Sequence, residues 1–246
     1  MKKVILLNKK EGETPLEALE VFRRKNKKYE DVKMTYAGRL DPMASGLLLI
    51  LAGEEVKEKE KYLALDKEYE FEILFGFSTD TYDILGKVIH SNILTNVGMK
   101  EFKKKITENL KYFRGRQMQE YPLYSSPTWE KARRGEEVEQ VAREIYVKKL
   151  NLLKIKSIKK EKLFKDIEKR IKKVKGDFRQ EEITKTWSKF PRTITLKHYY
   201  LSSFKIKCGS GTYVRGIADA LGKKMKIPAL AYSIKRTKVG KYSVLK

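Results

Sequence analysis

With 246 residues, the chain is long enough for one large domain or two small ones with a substantial hydrophobic core. Apolar residues make up 41%, including 14 Tyr and 10 Phe, which argues against a disordered protein. Lys and Arg number 56 and Asp and Glu number 32, so the formal net charge is +24. This excess favours a polyanionic partner such as nucleic acid, although a generally lysine-rich composition would produce it too.

The few cysteines and histidines limit the kinds of site that the chain can carry. Cys208 is the only cysteine, which excludes an intramolecular disulfide and indicates a reducing compartment. His90 and His198 are the only histidines, so a His/Cys metal site is nearly excluded, while a magnesium site built from carboxylates stays open. No apolar stretch approaches the roughly 20 residues of a membrane span and no signal peptide opens the chain, so we expect a cytoplasmic protein.

The N-terminal residues predict a short buried strand followed by a helix. The strand is expected from Val4 to Leu7, which are all apolar. Thr14, Pro15 and Glu17 then have the pattern of a helix start, with Thr14 as the cap, Pro15 at the first helical position and Glu17 closing a capping box.

The next loop, residues 36–46 (YAGRLDPMASG), places one carboxylate between glycines, directly before the apolar run 47–51. Pro42 restricts the backbone of Asp41 to extended or turn geometry, so the backbone holds this carboxylate in place. The glycines on either side permit the close approach of another backbone or of a ligand. By itself the pattern is more typical of an ordinary turn, because Asp-Pro and Gly are common turn residues.

The middle of the chain predicts a strand, a polar loop and a helix. Apolar residues, mostly aromatic, alternate with glutamates over residues 68–75, which is the pattern of a half-buried strand. Residues 78–86 form a polar loop in which Asp80 and Asp83 have the character of turn residues. Apolar residues then recur at helical spacing over 102–113.

Residues 148–190 are the most basic part of the chain, with 16 Lys and Arg against 6 Asp and Glu. Apolar residues over 164–178 keep helical spacing, so we expect a basic, helical insertion within the domain. The insertion is either an RNA-contacting arm or a solvated face whose lysines serve solubility.

Strand patterns at 145–155 and 204–208, and a helix over 214–221 stopped by Gly222, complete the prediction. Strands and helices mix without a regular βαβ repeat. Residues 1–246 are therefore predicted to form one α+β domain with a mixed, mostly antiparallel central sheet flanked by helices.

Ordered segments of the chain resemble motifs of the TruB family of tRNA pseudouridine synthases. The similar segments are the opening turn 8–12 (NKKEG), the catalytic loop 38–46 (GRLDPMASG), the K-x-Y element within 66–69 (DKEY), the G-x-x-T-D-T-x-D-x-x-G loop 76–86, the G-T-Y-I-R element 211–215 (GTYVR) and the trailing L-G at 221–222. Together these motifs are far more specific than any one alone. The resemblance implies the single-domain fold of pseudouridine synthases.

The resemblance implies that Asp41 is the nucleophile of an isomerisation that converts uridine to pseudouridine. The reaction involves no net redox change or hydrolysis, so neither a cofactor nor a metal is expected. Arg215 would pair with Asp41 and favour its ionised form, although an arginine at a helix start could instead bind a backbone phosphate. Attack on the ribose and attack on the base ring both remain open.

The resemblance also assigns a pocket for the base. Tyr69 would stack on the flipped uracil, and either Tyr69 or a water molecule would assist proton removal at C5. Tyr213 and Ile234 would line the pocket, with ordinary core packing as the alternative for each of these side chains. Tyr36 stands where the family commonly has a histidine, and it is the candidate to fill the gap left by the flipped base.

Two further departures from the family pattern concern RNA contacts. Residues 121–128 (YPLYSSPT) resemble the family's P-x-Y-S-A-x-K segment but lack its lysine. The chain ends at Lys246, so no C-terminal RNA-binding domain of the PUA type is expected, and the basic residues 148–190 would partly compensate.

The expected partner is the T-arm stem-loop of tRNA, with its uridine at position 55 as the target and the protein acting as a monomer. The alternative is a catalytically inactive protein of the same fold that binds or remodels RNA. A metal-dependent nuclease is disfavoured because it needs clustered carboxylates, for which Asp80 and Asp83 are the nearest candidates.

Overall fold

The computed structural model describes residues 3–91, 98–120, 122, 124, 131, 134, 136–137, 141–190 and 196–243. The strands are β1 (Val4–Lys9), β2 (Met34–Ala37), β3 (Ala44–Ala52), β4 (Lys67–Phe75), β5 (Phe77–Thr79), β6 (Val88–Ser91), β7 (Gly115–Glu120), β8 (Ala142–Lys159), β9 (His198–Cys208), β10 (Ala229–Val239) and β11 (Tyr242–Ser243). The α-helices are α1 (Pro15–Lys25), α2 (Lys59–Leu63), α3 (Met99–Leu110), α4 (Lys160–Ile171), α5 (Gln180–Trp187) and α6 (Val214–Met225).

The strands form one large sheet and a separate two-stranded ribbon. The order in the large sheet is β1-β3-β10-β4-β9-β8-β7, with β2 beside β3 and β11 beside β10, while β5 and β6 form the ribbon. Within the described residues, β3 and β10 are the only parallel neighbours, and all other pairs are antiparallel. The predicted α+β fold with a mixed, mostly antiparallel sheet is confirmed.

One face of the sheet packs on α3 and α6, as the alternation along β4 predicts. Tyr69, Phe71, Ile73 and Phe75 point to this side and join a core cluster that includes residues of both helices. The opposite face is covered at one end by α4 and α5, which bury their apolar stripes against it in a second cluster. Burial of these two faces supplies the main stabilisation of the domain.

The strand predicted at 145–155 is confirmed as part of β8, which pairs with β9 as far as Lys159. Two other predictions about local structure are wrong. The basic segment 148–190 is not helical throughout, because residues 148–159 belong to this strand. Their lysines occupy solvent-exposed positions of a long strand, and helix begins only at Lys160. Gly222 does not end the last helix, which runs to Met225 and is followed by Lys226 in the left-handed conformation. A Cβ at Gly222 would lie 2.6 Å from that of Ala229, so the glycine is explained by close helix–strand packing instead.

The helix start near the N-terminus is confirmed in detail. The Thr14 side chain accepts a hydrogen bond from the Glu17 backbone N–H at 3.1 Å, and the Glu17 carboxylate accepts one from Thr14 N at 2.7 Å. Among the helices of the described residues, none has the length and apolar character required to cross a membrane.

Candidate active site

A cavity of about 770 Å³ opens where β2, β4, β10 and the start of α6 meet. Every site residue predicted from the sequence lines it: Tyr36, Asp41, Tyr69, Tyr213, Arg215 and Ile234. The fold therefore brings together the residues that the sequence resemblance predicted, although they lie on different elements and as far apart in the chain as positions 36 and 234.

Asp41 occupies the first position of a tight turn between β2 and β3. The Ala44 N–H donates to the Asp41 carbonyl oxygen at 2.9 Å, with Pro42 at the second position, where its fixed φ favours the turn. Gly46 has a φ of +101°, and a Cβ there would lie 2.3 Å from the Arg236 carbonyl oxygen. The predicted close approach at this glycine is thus an approach of the neighbouring strand β10.

Arg215, in the first turn of α6, is the charged partner of Asp41. Its Nε lies 2.9 Å from Asp41 Oδ2 and its Nη2 lies 3.5 Å from Oδ1, in an ion pair with imperfect hydrogen-bond angles. The Arg215 side chain is 4% exposed, whereas that of Asp41 is 36% exposed to the cavity. The guanidinium also donates to the carbonyl oxygens of Thr81 at 2.8 Å and Tyr124 at 3.0 Å, which fixes its orientation.

The electrostatics of the site keep Arg215 charged. Burial opposes the charged guanidinium, but the carboxylates of Asp41 and Asp83 outweigh this effect and raise the Arg215 pKa. This permanent cation lies 2.9 Å from Asp41 Oδ2 and attracts the carboxylate. Asp41 is therefore a partly exposed carboxylate in an aromatic-lined cavity, held against a buried cation, which is an arrangement suited to a nucleophile or a base.

Asp83 is a buried residue of the site that the sequence analysis treated as a turn residue. Its Oδ1 accepts hydrogen bonds from Thr81 Oγ1 at 2.8 Å and from Leu85 N at 2.9 Å. Burial raises the Asp83 pKa to about 6, although Arg215 favours the anion. The threonines of the same motif hold its loop, since Thr79 Oγ1 donates to the Asp83 carbonyl oxygen at 2.6 Å.

Arg236 is a second residue that sequence reasoning missed. This β10 side chain is 1% exposed and donates to three backbone carbonyl oxygens around the Asp41 turn: Leu47 at 2.7 Å, Gly38 at 3.0 Å and Arg39 at 3.3 Å. The planar, multidentate guanidinium thus ties the two sides of the turn together. In the sequence, only its position two residues after Ile234 could have indicated that Arg236 belongs to the site. Lysine and arginine residues in a strand are usually exposed to solvent, so Arg236 was not expected to be buried.

Tyr69 and Ile234 form the apolar side of the cavity. They lie on the neighbouring strands β4 and β10 and are 9% and 8% exposed. Burial raises the Tyr69 pKa, an effect that Arg236 partly opposes, so the phenol stays protonated at neutral pH. Both residues also belong to the main core cluster, so each one lines the cavity and packs in the core at the same time.

The backbone of Tyr213 is held by a side chain from another strand. Gln119 of β7 accepts from Tyr213 N at 2.8 Å and donates to the Tyr213 carbonyl oxygen at 2.9 Å. This pair of bonds fixes the start of α6, and with it the position of Arg215. The Tyr213 ring centre lies 5.8 Å from the Arg215 guanidinium carbon. Tyr36 lies across the cavity on β2 and is half-buried.

Hydrogen bonds that run from α4 through Glu11 and Gly12 support the Asp41 turn. Arg170 makes two hydrogen bonds with Glu11, at 3.0 and 2.8 Å. The next residue, Gly12, donates its backbone N–H to the Pro42 carbonyl oxygen at 2.8 Å. Lys9 is buried in the same region, where its Nζ donates to the Glu13 carbonyl oxygen at 2.6 Å and burial lowers its pKa to about 8.

The basic residues 148–190 also reach the site. Phe178 lines the cavity, and the Arg179 guanidinium stacks 3.7 Å from the centre of the Tyr124 ring while pairing with Asp80 at 2.8 Å. Of the segment 121–128, only residues 122 and 124 lie within the described part of the chain. The prediction that this segment lacks the family's lysine contact to RNA therefore concerns position 128, which is outside the described residues. Among the described residues, no three His, Cys, Asp or Glu side chains are grouped to hold a metal ion.

Comparison with known proteins places these residues in a family. Residues 24–178 match the family model "TruB family pseudouridylate synthase (N terminal domain)". The tRNA pseudouridine synthase B of Endomicrobium trichonymphae is 29% identical over 248 residues, covering 98% of this chain and 86% of the relative. The enzyme of the same name from Aquifex aeolicus is 29% identical over 246 residues, covering 98% of this chain and 69% of the relative.

Solved structures support the fold. A Cbf5-Nop10-Gar1 complex contains a chain that superposes with a TM-score of 0.58 at 18% identity, over 98% of this chain and 50% of that one. An H/ACA RNP bound to a substrate RNA containing 2′-deoxyuridine gives a TM-score of 0.56 at 17% identity, over 98% of this chain and 49% of that one. The chain spans about half the length of these solved chains.

Proposed function

The chain belongs to the TruB family of pseudouridylate synthases, and from this premise we propose that it isomerises uridine to pseudouridine in tRNA. We further propose that the target is the T-arm uridine at position 55 and that Asp41 is the nucleophile. One observation carries this proposal: the ion pair of Asp41 with buried Arg215, at the wall of a cavity lined by Tyr69, Tyr213 and Ile234.

The reaction needs only groups that the cavity contains. The N1–C1′ bond of the nucleotide breaks, the base turns, and a C5–C1′ bond forms. C5 loses a proton and N1 gains one, so the isomerisation leaves no net change in redox state. The Asp41 carboxylate forms a transient covalent bond to the substrate and leaves with its electron pair when product forms. Attack on C1′ and attack on the base ring satisfy the same balance.

The aromatic and apolar walls suit a uracil base that has left its helix. Leaving the stack costs a few kcal/mol, which contacts in the pocket and to the phosphates offset. Tyr69 provides a flat ring for stacking, and Ile234 and Tyr213 close the pocket around the base. Tyr36, at the edge of the cavity, takes the place of the extruded base in the RNA stack.

The surface of α4 is the proposed contact for the RNA backbone outside the pocket. Lys162, Lys165 and Lys169 are exposed, while Phe164 and Ile167 on the other side of the helix are buried in the second core cluster. Deleting the helix would therefore unfold the domain. Changing the three lysines to Gln should instead weaken RNA binding and reduce the slope of log affinity against log salt. Unchanged affinity and slope would show that this face serves solubility.

The test of the function is to incubate the protein with unmodified tRNA, without added metal, and to map pseudouridine along the RNA. The proposal predicts one modified site, at position 55, with the native protein and none with Asp41→Ala. Modification at another position would refute the T-arm assignment alone. RNA binding without product from the native chain would identify the protein as the catalytically inactive alternative.

A further inference from the structure

Arg179 belongs to the long connection between β8 and β9, two strands that pair with each other as far as Lys159 and His198. This connection contains α4 and α5, so the two helices form an insertion at the end of a strand hairpin. The insertion returns to the active site, where Phe178 lines the cavity and Arg179 contacts two other segments. The Arg179 contacts are not part of the apolar cluster that holds the two helices on the sheet.

The two segments that Arg179 contacts are the same two that orient Arg215. Arg215 donates to the carbonyl oxygens of Thr81 at 2.8 Å and Tyr124 at 3.0 Å. Arg179 pairs with Asp80, the residue before Thr81, at 2.8 Å. Its guanidinium carbon also lies 3.7 Å from the centre of the Tyr124 ring, in a cation–π contact. Arg179 therefore connects the two segments whose carbonyl groups hold Arg215.

Asp80 transmits the contact with Arg179 to the loop that carries Thr81. Its Oδ1 accepts a hydrogen bond from Lys87 N at 2.9 Å, while its Oδ2 accepts one from Arg179 Nη1. The side chains of Arg179 and Asp80 are only 13% and 16% exposed, so solvent screens this pair weakly. Without the arginine, Asp80 would be a carboxylate with little access to water, and the loop would rearrange to solvate it.

The backbone of Arg179 has a conformation that favours glycine. Its φ is +63° and its ψ is 29°, in the left-handed region, where a Cβ is disfavoured. Glycine would start α5 at this position with less strain, so the helix itself does not explain an arginine here. What the arginine adds is the side-chain contact with Asp80 and Tyr124.

We propose that Arg179 is a positioning residue of the active site, which acts on Asp41 through Arg215. The inference rests on the proposed function and deepens it, because it gives the insertion a part in the reaction. By holding the segments of Thr81 and Tyr124, Arg179 keeps the Arg215 guanidinium oriented with its Nε 2.9 Å from the Asp41 carboxylate. Arg179 does not itself line the cavity, so its effect is on the reaction step and not on RNA affinity.

The first experiment measures the single-turnover rate at saturating tRNA and, separately, the affinity for tRNA. We expect Arg179→Gln to lower the rate by about 30-fold, because a small displacement of reacting groups has effects of this size. Affinity should stay within about threefold of the native value. Glu182→Gln is the matched control, since Glu182 of α5 pairs with Lys87 at the end of the same loop and is 60% exposed. This control should keep the native rate and affinity.

A double-mutant cycle tests whether Arg179 acts through Tyr124. Tyr124→Leu removes the ring that Arg179 contacts and keeps the backbone carbonyl that Arg215 needs. We expect Tyr124→Leu to lower the rate by a smaller factor in Arg179→Gln than in the native protein, because the contact is already lost. The same factor in both backgrounds would show that the two residues act independently, which would overturn the inference.

A third measurement requires neither RNA nor product. The Nε–H signal of Arg215 in a proton–nitrogen correlation NMR spectrum reports the environment of its guanidinium, and Arg215→Lys identifies the signal by its loss. Arg179→Gln should shift or broaden this signal, while Glu182→Gln should leave it unchanged. If the native protein forms no pseudouridine, the proposed function is refuted, and this spectrum still tests the link between the two arginines.

Three other results would overturn the inference. The first is a native rate for Arg179→Gln at saturating tRNA with a lower unfolding temperature, which would show a role in stability alone. The second is a native rate with weaker binding and a smaller slope of log affinity against log salt, which would identify Arg179 as an RNA contact. The third is an Arg215 signal that is the same in Arg179→Gln as in the native protein.

Discussion

Asp83 makes the stability of this protein depend on pH in a direction opposite to that of most carboxylates. It is 5% exposed, and its carboxylate accepts hydrogen bonds from Thr81 and Leu85. Burial raises its pKa from 3.8 to about 6, because the loss of water outweighs the attraction of Arg215. Replacing it by asparagine removes the titration while keeping a side-chain oxygen for the two donors.

The sign of the effect follows from the proton balance between the folded and unfolded states. Between about pH 4 and pH 6 the folded protein holds a proton on Asp83 that the unfolded chain has lost. Stability contributed by this group therefore falls as pH rises through this window and is restored on acidification. The interval from 3.8 to about 6 corresponds to about 3 kcal/mol of unfolding free energy.

Urea unfolding of the native protein and of Asp83→Asn, at several pH values from 4 to 7.5, measures this difference. Other groups titrate in both proteins and cancel in the comparison. We expect the native protein to gain about 2.4 kcal/mol relative to the variant between pH 7 and pH 4, because at pH 4 the unfolded chain already holds part of this proton. A difference that is constant with pH, or one that favours the variant on acidification, would refute the placement of Asp83 as a buried acid.

Two further substitutions test the backbone around Asp41. Gly46→Ala should lower the unfolding free energy by several kcal/mol, because the residue has a φ of +101° and the new Cβ would lie 2.3 Å from the Arg236 carbonyl oxygen. Gly98→Ala, where a Cβ meets nothing within 4 Å, is the control, and equal losses in thermal unfolding would contradict the prediction. Arg236→Lys keeps the charge but cannot reach all three carbonyls, so we expect a loss of about 2–4 kcal/mol and a slower single-turnover rate. Native stability together with a native rate in this variant would show that the three bonds do not hold the turn.

The sheet could be predicted where side-chain alternation was clear. The aromatic residues of β4 alternate with glutamates, and the structure buries Tyr69, Phe71, Ile73 and Phe75 on one face. The strand predicted at 145–155 follows the same physics, and the structure extends it to 142–159 with lysines at its exposed positions. The basic composition of 148–190 did not indicate where this strand ends and helix begins, because net charge does not specify a fold.

The site could be predicted only in part, since its parts come from distant positions. Asp41 and Arg215 are 174 residues apart, and spacing alone gave no reason to join them; the family motifs did. Asp83 was missed because an aspartate between polar residues is the usual composition of a turn, and its burial depends on the packing of β5, α6 and β10 around it. Gln119 and Arg236 act on backbone atoms, which carry no sequence signal.

Whether Asp41 is the nucleophile is best tested by the single-turnover rate of pseudouridine formation by Asp41→Asn at saturating tRNA. The substitution keeps the size of the side chain but removes the charge that faces Arg215. If Asp41 is the nucleophile, the rate should fall by about 10⁴-fold or more, while tRNA affinity changes little. Asp31→Asn, which changes an exposed aspartate just before β2, should keep the native rate. A rate for Asp41→Asn within about tenfold of the native one would show that Asp41 is not the nucleophile.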